Sequence, residues 1–259
     1  MIRNNIGIAL SNLGEMTAAE LILRETLETF RRGDPGGDVH PAILINYCRT
    51  VLFLNQLDTA AVWYERLFRQ SAAAKNASME ADGAHGLAEV ALARGRLDEA
   101  ARWIANMRRV YARSPEPRPG TAVALDGALA HARGHLAAAN ATLGQALRQM
   151  GYFAGTRSYQ MRSVLIRAAA AARDGGEAGR AVEYARAAAD IAISDSLSES
   201  RSAYVGQARL LEGTAILSRG DTAAARAVIS RAVMALRSGA GAAHPLAREA
   251  TTLLAILSR

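Results

Sequence analysis

Cysteine occurs once in this chain, at Cys48, which excludes an intramolecular disulfide framework and every cysteine-rich zinc site. Aromatic residues make up only 5% of the 259 residues. That is too few for sheets packed through aromatic and β-branched side chains, whereas the abundant alanine suits closely packed helices. Lysine is nearly absent as well: Lys75 is the only one among 31 basic residues, and the arginine and alanine bias reads as that of a GC-rich, bacterial genome. Nowhere do about 18 apolar residues run uninterrupted, the length of a membrane helix. The opening MIRNNIGIALSNLGEM has Arg3 but no leader-like apolar run and no small-residue cleavage pattern. A soluble, cytoplasmic, all-α chain is expected.

Half of the residues are hydrophobic, enough to bury a substantial core and to exclude disorder. The formal charge of +7 is uneven. Residues 1–120 hold 15 basic against 14 acidic side chains, and residues 121–259 hold 16 against 10. Any basic surface therefore belongs to the second half.

One motif recurs along the whole chain: a helical run, a turn residue, and an alanine five positions later inside a second helical run. The copies are NLGEMTAAE, FLNQLDTAA, LARGRLDEAA, HARGHLAAAN, RDGGEAGRAV and LSRGDTAAAR. Their turn positions are Gly14, Asn55, Gly95, Gly134, Gly176 and Gly220, spaced 41, 40, 39, 42 and 44 residues apart. Glycine ends the first helix by taking a left-handed conformation, and asparagine is the next best residue for it. The alanines (Ala19, Ala60, Ala100, Ala139, Ala181, Ala225) stand where two helices of a hairpin cross and only a small side chain fits. Leu97, Ala100, Ala101, Ile104 and Met107 form one apolar stripe, and Leu57, Ala60, Ala61, Tyr64 and Leu67 form another. Amphipathic hairpins of this kind bury their stripes by stacking.

These residues resemble the tetratricopeptide repeat. The small residue which that family places seven positions before the turn glycine is met by Gly7, Cys48, Ala88, Gly127, Ala169 and Gly213. A period near 40 is similar to the repeats of kinesin light chain and of many bacterial signalling proteins, such as the regions that follow Ser/Thr kinase domains. His40-Pro41 and His244-Pro245 match the His-Pro pairs that open such repeats, with proline in the first helical turn. The resemblance implies a right-handed α-solenoid of about six hairpins, at 1–33, 41–75, 78–113, 119–151, 158–194 and 198–238, with a C-terminal capping helix at 245–258. Because no capping element precedes the first hairpin, the chain is expected to be the C-terminal part of a longer protein.

No site of chemistry is expected. His131 and His135 have a metal-ligand spacing, but a turn glycine separates them and no HExxH glutamate exists. GDPGGD (33–38) lacks the Lys-Ser/Thr of a phosphate-cradling loop. Cys48 falls in the packed small-residue column, where a cysteine behaves as a small hydrophobe. Asp98 and Glu99 are neighbours in sequence and so diverge on a helix. Arginines interleaved with acids, without aromatic stacking residues, do not read as a nucleic-acid surface. Trp63, Trp103 and Tyr64 lie in second helices and read as packing residues.

What the resemblance does imply is binding of a protein or peptide along a concave wall of first helices. Carried over position by position, Asn5 and Asn46 take the place of a groove asparagine, with Ile8, Arg49 and Phe53 nearby. In later repeats that column holds Gly86, Leu125, Arg167 and Leu211. The lysine-rich carboxylate clamp of chaperone-binding members is absent, since Asp82 and Gly86 stand in its place. Arg162 and Arg167 favour an acidic partner segment. The expected function is an interaction scaffold or sensor module without cofactor or metal. Self-association through the N-terminal edge, or a place in a transcriptional regulator, are the alternatives.

Overall fold

The computed structural model describes residues 2–33, 39–114, 118, 120–193 and 198–259. Most of GDPGGD and the expected hairpin limits 1, 119 and 194 lie outside these residues. Among them the chain is helical without a strand, as the composition implies. Helices α1 (Ile2–Leu13) and α2 (Met16–Gly33) form the first hairpin, followed by α3 (Pro41–Phe53) with α4 (Leu57–Ala73) and α5 (Ala77–Ala93) with α6 (Leu97–Tyr111). Then come α7 (Thr121–Ala132) with α8 (Leu136–Gln149), and α9 (Tyr159–Asp174) with α10 (Ala178–Ala192). A short α11 (Ser198–Arg201) leads into α12 (Ala203–Leu217) and α13 (Thr222–Ala240), and α14 (Pro245–Leu257) ends the array.

All six turn positions have positive φ, from 60° at Asn55 to 85° at Gly220. At the third, Gly95 N–H donates to Leu92 O and Arg96 N–H to Ala91 O, which satisfies carbonyls that a helix end leaves unpaired. Every column alanine is buried, as are all six members of the earlier small-residue column. The two columns interlock. A Cβ on Gly7, Gly127 or Gly213 would lie 2.6, 2.6 or 2.4 Å from Leu23, Leu143 or Ile229, each of which stands four residues after a column alanine.

Side chains cap the starts of α3, α5, α9, α13 and α14. His40 and His244 accept through Nδ1 from the N–H of Ala42 and Leu246, so both His-Pro pairs open helices. Two connections use different devices. Lys75 (φ 55°) and Asn76, which caps α5, join α4 to α5 without glycine or proline, and a 3-10 turn at Tyr152–Ala154 between the left-handed Gly151 and Gly155 precedes α9. Trp63 and Trp103 are partly buried against the core, in edge contact with Tyr47 and Phe68. Helix α14 covers the last apolar edge, burying Ala247 and Ala250 against Leu210, Val233 and Leu236.

The array also meets itself. Gly14 O, in the first turn, accepts from Ala203 N–H at the start of α12 (2.9 Å), and Met16 is buried with Ala203 and Ala240. Phe53, at the end of α3, packs edge-on to Tyr204 and stacks on His244 at 5.6 Å. His244 Nδ1 already accepts from Leu246, so Nε2 carries the proton and donates to Phe53 O at 2.8 Å. The solenoid thus closes after about one superhelical turn, its first two hairpins resting on the sixth.

Candidate functional site

The first helices pack side by side, α5 between α3 and α7, and α5 has a charged face. Asp82, His85 and Glu89 are spaced three and four apart, which places them on one helical face. Arg49 from α3 reaches Asp82 at 3.7 Å, and Arg118, just before α7, donates to the same carboxylate at 2.8 Å. Arg167 from α9 donates to Glu89 across the intervening α7. His85 Nε2 lies 3.6 Å from Glu89. Three guanidiniums against two carboxylates leave one formal positive charge in the cluster.

The cluster is only partly shielded from solvent. The Asp82 side chain is 8% exposed, whereas Arg167 keeps 22%, His85 34% and Arg49 43% of their side-chain surface. Burial pushes the His85 pKa down, and Arg167 adds to this against the pull of Glu89. For Glu89, burial works to raise the pKa, but the Arg167 guanidinium, its hydrogen bond and His85 overcome it and hold the carboxyl below its ordinary range. At neutral pH the cluster therefore contains an ionised Glu89 and a neutral His85.

The positions inferred from the repeat resemblance are placed as follows. Arg49 and Arg167 both reach the α5 cluster. Arg162 covers the Tyr204 ring, its guanidinium carbon 3.3 Å from the centroid. Phe53 is taken up by the closing contact. Asn46 is half-buried, with Nδ2 donating to Ala42 O at 2.6 Å, while Asn5 is exposed and Ile8 half-buried on α1. The structure does not bring Asn5 and Ile8 to the arginine cluster. The groove-column position Gly86 has a packing cause, because a Cβ there would lie 2.1 Å from the Tyr64 ring.

Sequence reasoning passed over His85 and Glu89 as inner-wall residues, although their spacing from Asp82 was a usable signal. His131 binds Asp174 (2.8 Å), and His135 sits exposed at the start of α8. Among the described residues no group of three or more His, Cys, Asp or Glu side chains could hold a metal ion, and no helix is long and apolar enough to cross a membrane. Cys48 is buried, and burial pushes its thiol far above the ordinary range.

No family model matches the sequence, and no curated protein matches it. Among solved structures the chain is similar to BtubC (BKLC) from P. vanneervenii, with a TM-score of 0.60 at 15% identity over 78% of this chain and 82% of that one. A weaker likeness, TM-score 0.42 at 11% identity over 99% and 97%, is to the TPR2AB domain of yeast Sti1 in a complex with pHSP90. The first likeness is one of fold, and the second adds nothing to it.

Proposed function

We propose that this tetratricopeptide-like α-solenoid is a protein-interaction scaffold whose inner wall takes an extended, acidic partner segment. The reading is carried by the Arg49, Asp82, His85, Glu89, Arg167 cluster. Arg49, His85 and Arg167 keep part of their surface in contact with water, and with Arg118 counted the cluster has one surplus positive charge. A carboxylate entering there would share guanidinium donors already oriented by Asp82 and Glu89, so little side-chain entropy remains to be lost. Repeat length and composition support a place in a bacterial signalling protein as the sensor or docking region.

The test is selection of a displayed library of random 12-residue peptides on the whole chain. Acidic peptides are expected, with affinity that falls as salt rises and drops about tenfold in Arg49→Ala. If acidic peptides are not enriched, or if binding ignores both salt and Arg49→Ala, the groove reading fails. A second reading, self-assembly, is favoured by one observation: Ile2, Ile6 and Leu21 of the first hairpin are 78%, 47% and 46% exposed. A mass in solution that rises with concentration and is reset by Ile6→Glu would support it.

A further inference from the structure

A second candidate surface lies on the opposite, outer wall, between the second helices α8 and α10. There a cleft of about 760 Å³ is floored by Ala141 and Gly144 and walled by Arg148, Tyr152, Phe153 and Tyr184. Gly144 sits in the middle of α8, where glycine costs helix stability relative to alanine. The buried glycines of the inner helices have a packing cause, for their Cβ atoms would strike a neighbour. A Cβ on Gly144 would meet only Arg148 Nη1, at 3.8 Å. The missing side chain therefore serves no contact within the chain, and it leaves the helix backbone open to close approach.

The walls are built for an anchor side chain. Tyr152 meets Phe153 and Tyr184 edge to face, at 5.1 and 6.1 Å between centroids, and Phe153 is 61% exposed despite being fixed in the 3-10 turn. Such aromatic and arginine combinations dominate the energetics of protein interfaces. The charges are complementary to an acidic segment. Arg148 has no carboxylate partner among the described residues. Arg157 donates to the carbonyls of Tyr152 and Thr156 while stacking on the Tyr152 ring at 4.7 Å. Arg180 is shared with Glu177, and Glu183 stands on the α10 wall, where it can accept a backbone N–H. Nucleic acid fits poorly: Arg157 and Tyr184 already occupy the Tyr152 ring, and Glu183 would oppose a run of phosphates.

We infer that this outer cleft is a second peptide-docking site, which takes an acidic segment carrying one aromatic or leucine anchor, with the anchor beside Tyr152 and Tyr184 and a carboxylate on Arg148. It is independent of the inner wall. The same 12-residue peptide library is selected on the whole chain, and the enriched peptides are measured against Arg148→Glu, Gly144→Leu and the inner-wall variant Arg49→Ala. A class with an acidic residue next to an aromatic or leucine is expected, weakened about tenfold by Arg148→Glu and by Gly144→Leu but unchanged in Arg49→Ala. Gly144→Leu is also expected to raise helix stability, so its loss of binding is not a loss of folding. Peptides that respond to Arg49→Ala alone would uphold the inner-wall reading and overturn this one. So would peptides indifferent to both cleft variants, or displacement of the cleft peptides by a 12-nucleotide oligo-dT.

Discussion

Two columns of small residues, one in each helix of a hairpin, determine how closely the pairs pack, and they act through single atoms. The Cβ that Gly213 lacks would stand 2.4 Å from Ile229 Cγ1, so Gly213→Ala must push the helices apart. Overpacking of this kind costs about 1–3 kcal/mol. Gly144→Ala meets no obstacle and replaces the least favourable ordinary helix former, so it is expected to stabilise by up to about 1 kcal/mol. Urea denaturation followed by far-UV circular dichroism should move the two midpoints in opposite directions. Movement in the same direction would mean that the interlocking of Gly213 with Ile229 does not limit the packing. Cys48 follows the same logic: in its column it is valued for size.

The hairpins were legible because each is specified locally. A left-handed turn residue, an alanine five positions later and a small residue seven positions earlier all lie within one pair of helices, and all six copies keep them. The single turn without glycine gives a direct test. Asn55 holds φ 60°, a conformation that costs a side-chain-bearing residue roughly 1 kcal/mol relative to glycine. Asn55→Gly should therefore raise the denaturation midpoint, and Asn55→Ala should lower it. Connections were less legible where the device changes. Lys75 takes the left-handed position between α4 and α5, and Asn76 caps α5, so the break expected between 75 and 78 is made without glycine or proline. The turn at Tyr152–Ala154 lies between the left-handed Gly151 and Gly155, in the break expected between 151 and 158, but the outer cleft beside it had no signature of its own.

At the scale of the molecule the closing contact is decisive. Gly239 makes it possible, since a Cβ there would lie 2.4 Å from Ala203 N and 2.6 Å from Gly14 O. Gly239→Leu is expected to part the first and sixth hairpins while keeping each helix. Small-angle scattering should then give a larger maximum dimension with an unchanged helical spectrum. An unchanged dimension would mean that hairpin stacking alone sets the curvature. The inner cluster links stability to pH. His85 is depressed below its ordinary 6.5, so between the folded and unfolded values the unfolded chain binds more protons, and stability falls as pH drops through about 6.5. Glu89, also depressed, adds a further loss as its carboxylate protonates at still lower pH. Denaturation midpoints between pH 7.5 and 5 should fall in the wild type and fall less in His85→Gln.

Local chemistry in the sequence was sufficient to determine the helices, the hairpins, their number and the small residues between them. Each of those features depends on residues within about one repeat of one another. The neighbours of Arg49, Phe53, Arg162 and Arg167 were decided elsewhere. Small rotations from repeat to repeat accumulate until Phe53 meets His244, 191 residues away, and Arg167 meets Glu89, 78 residues away. No short-range pattern encodes such meetings, so only the tertiary structure could turn Phe53 into part of a closing contact and gather Asp82, His85 and Glu89 with arginines from other repeats.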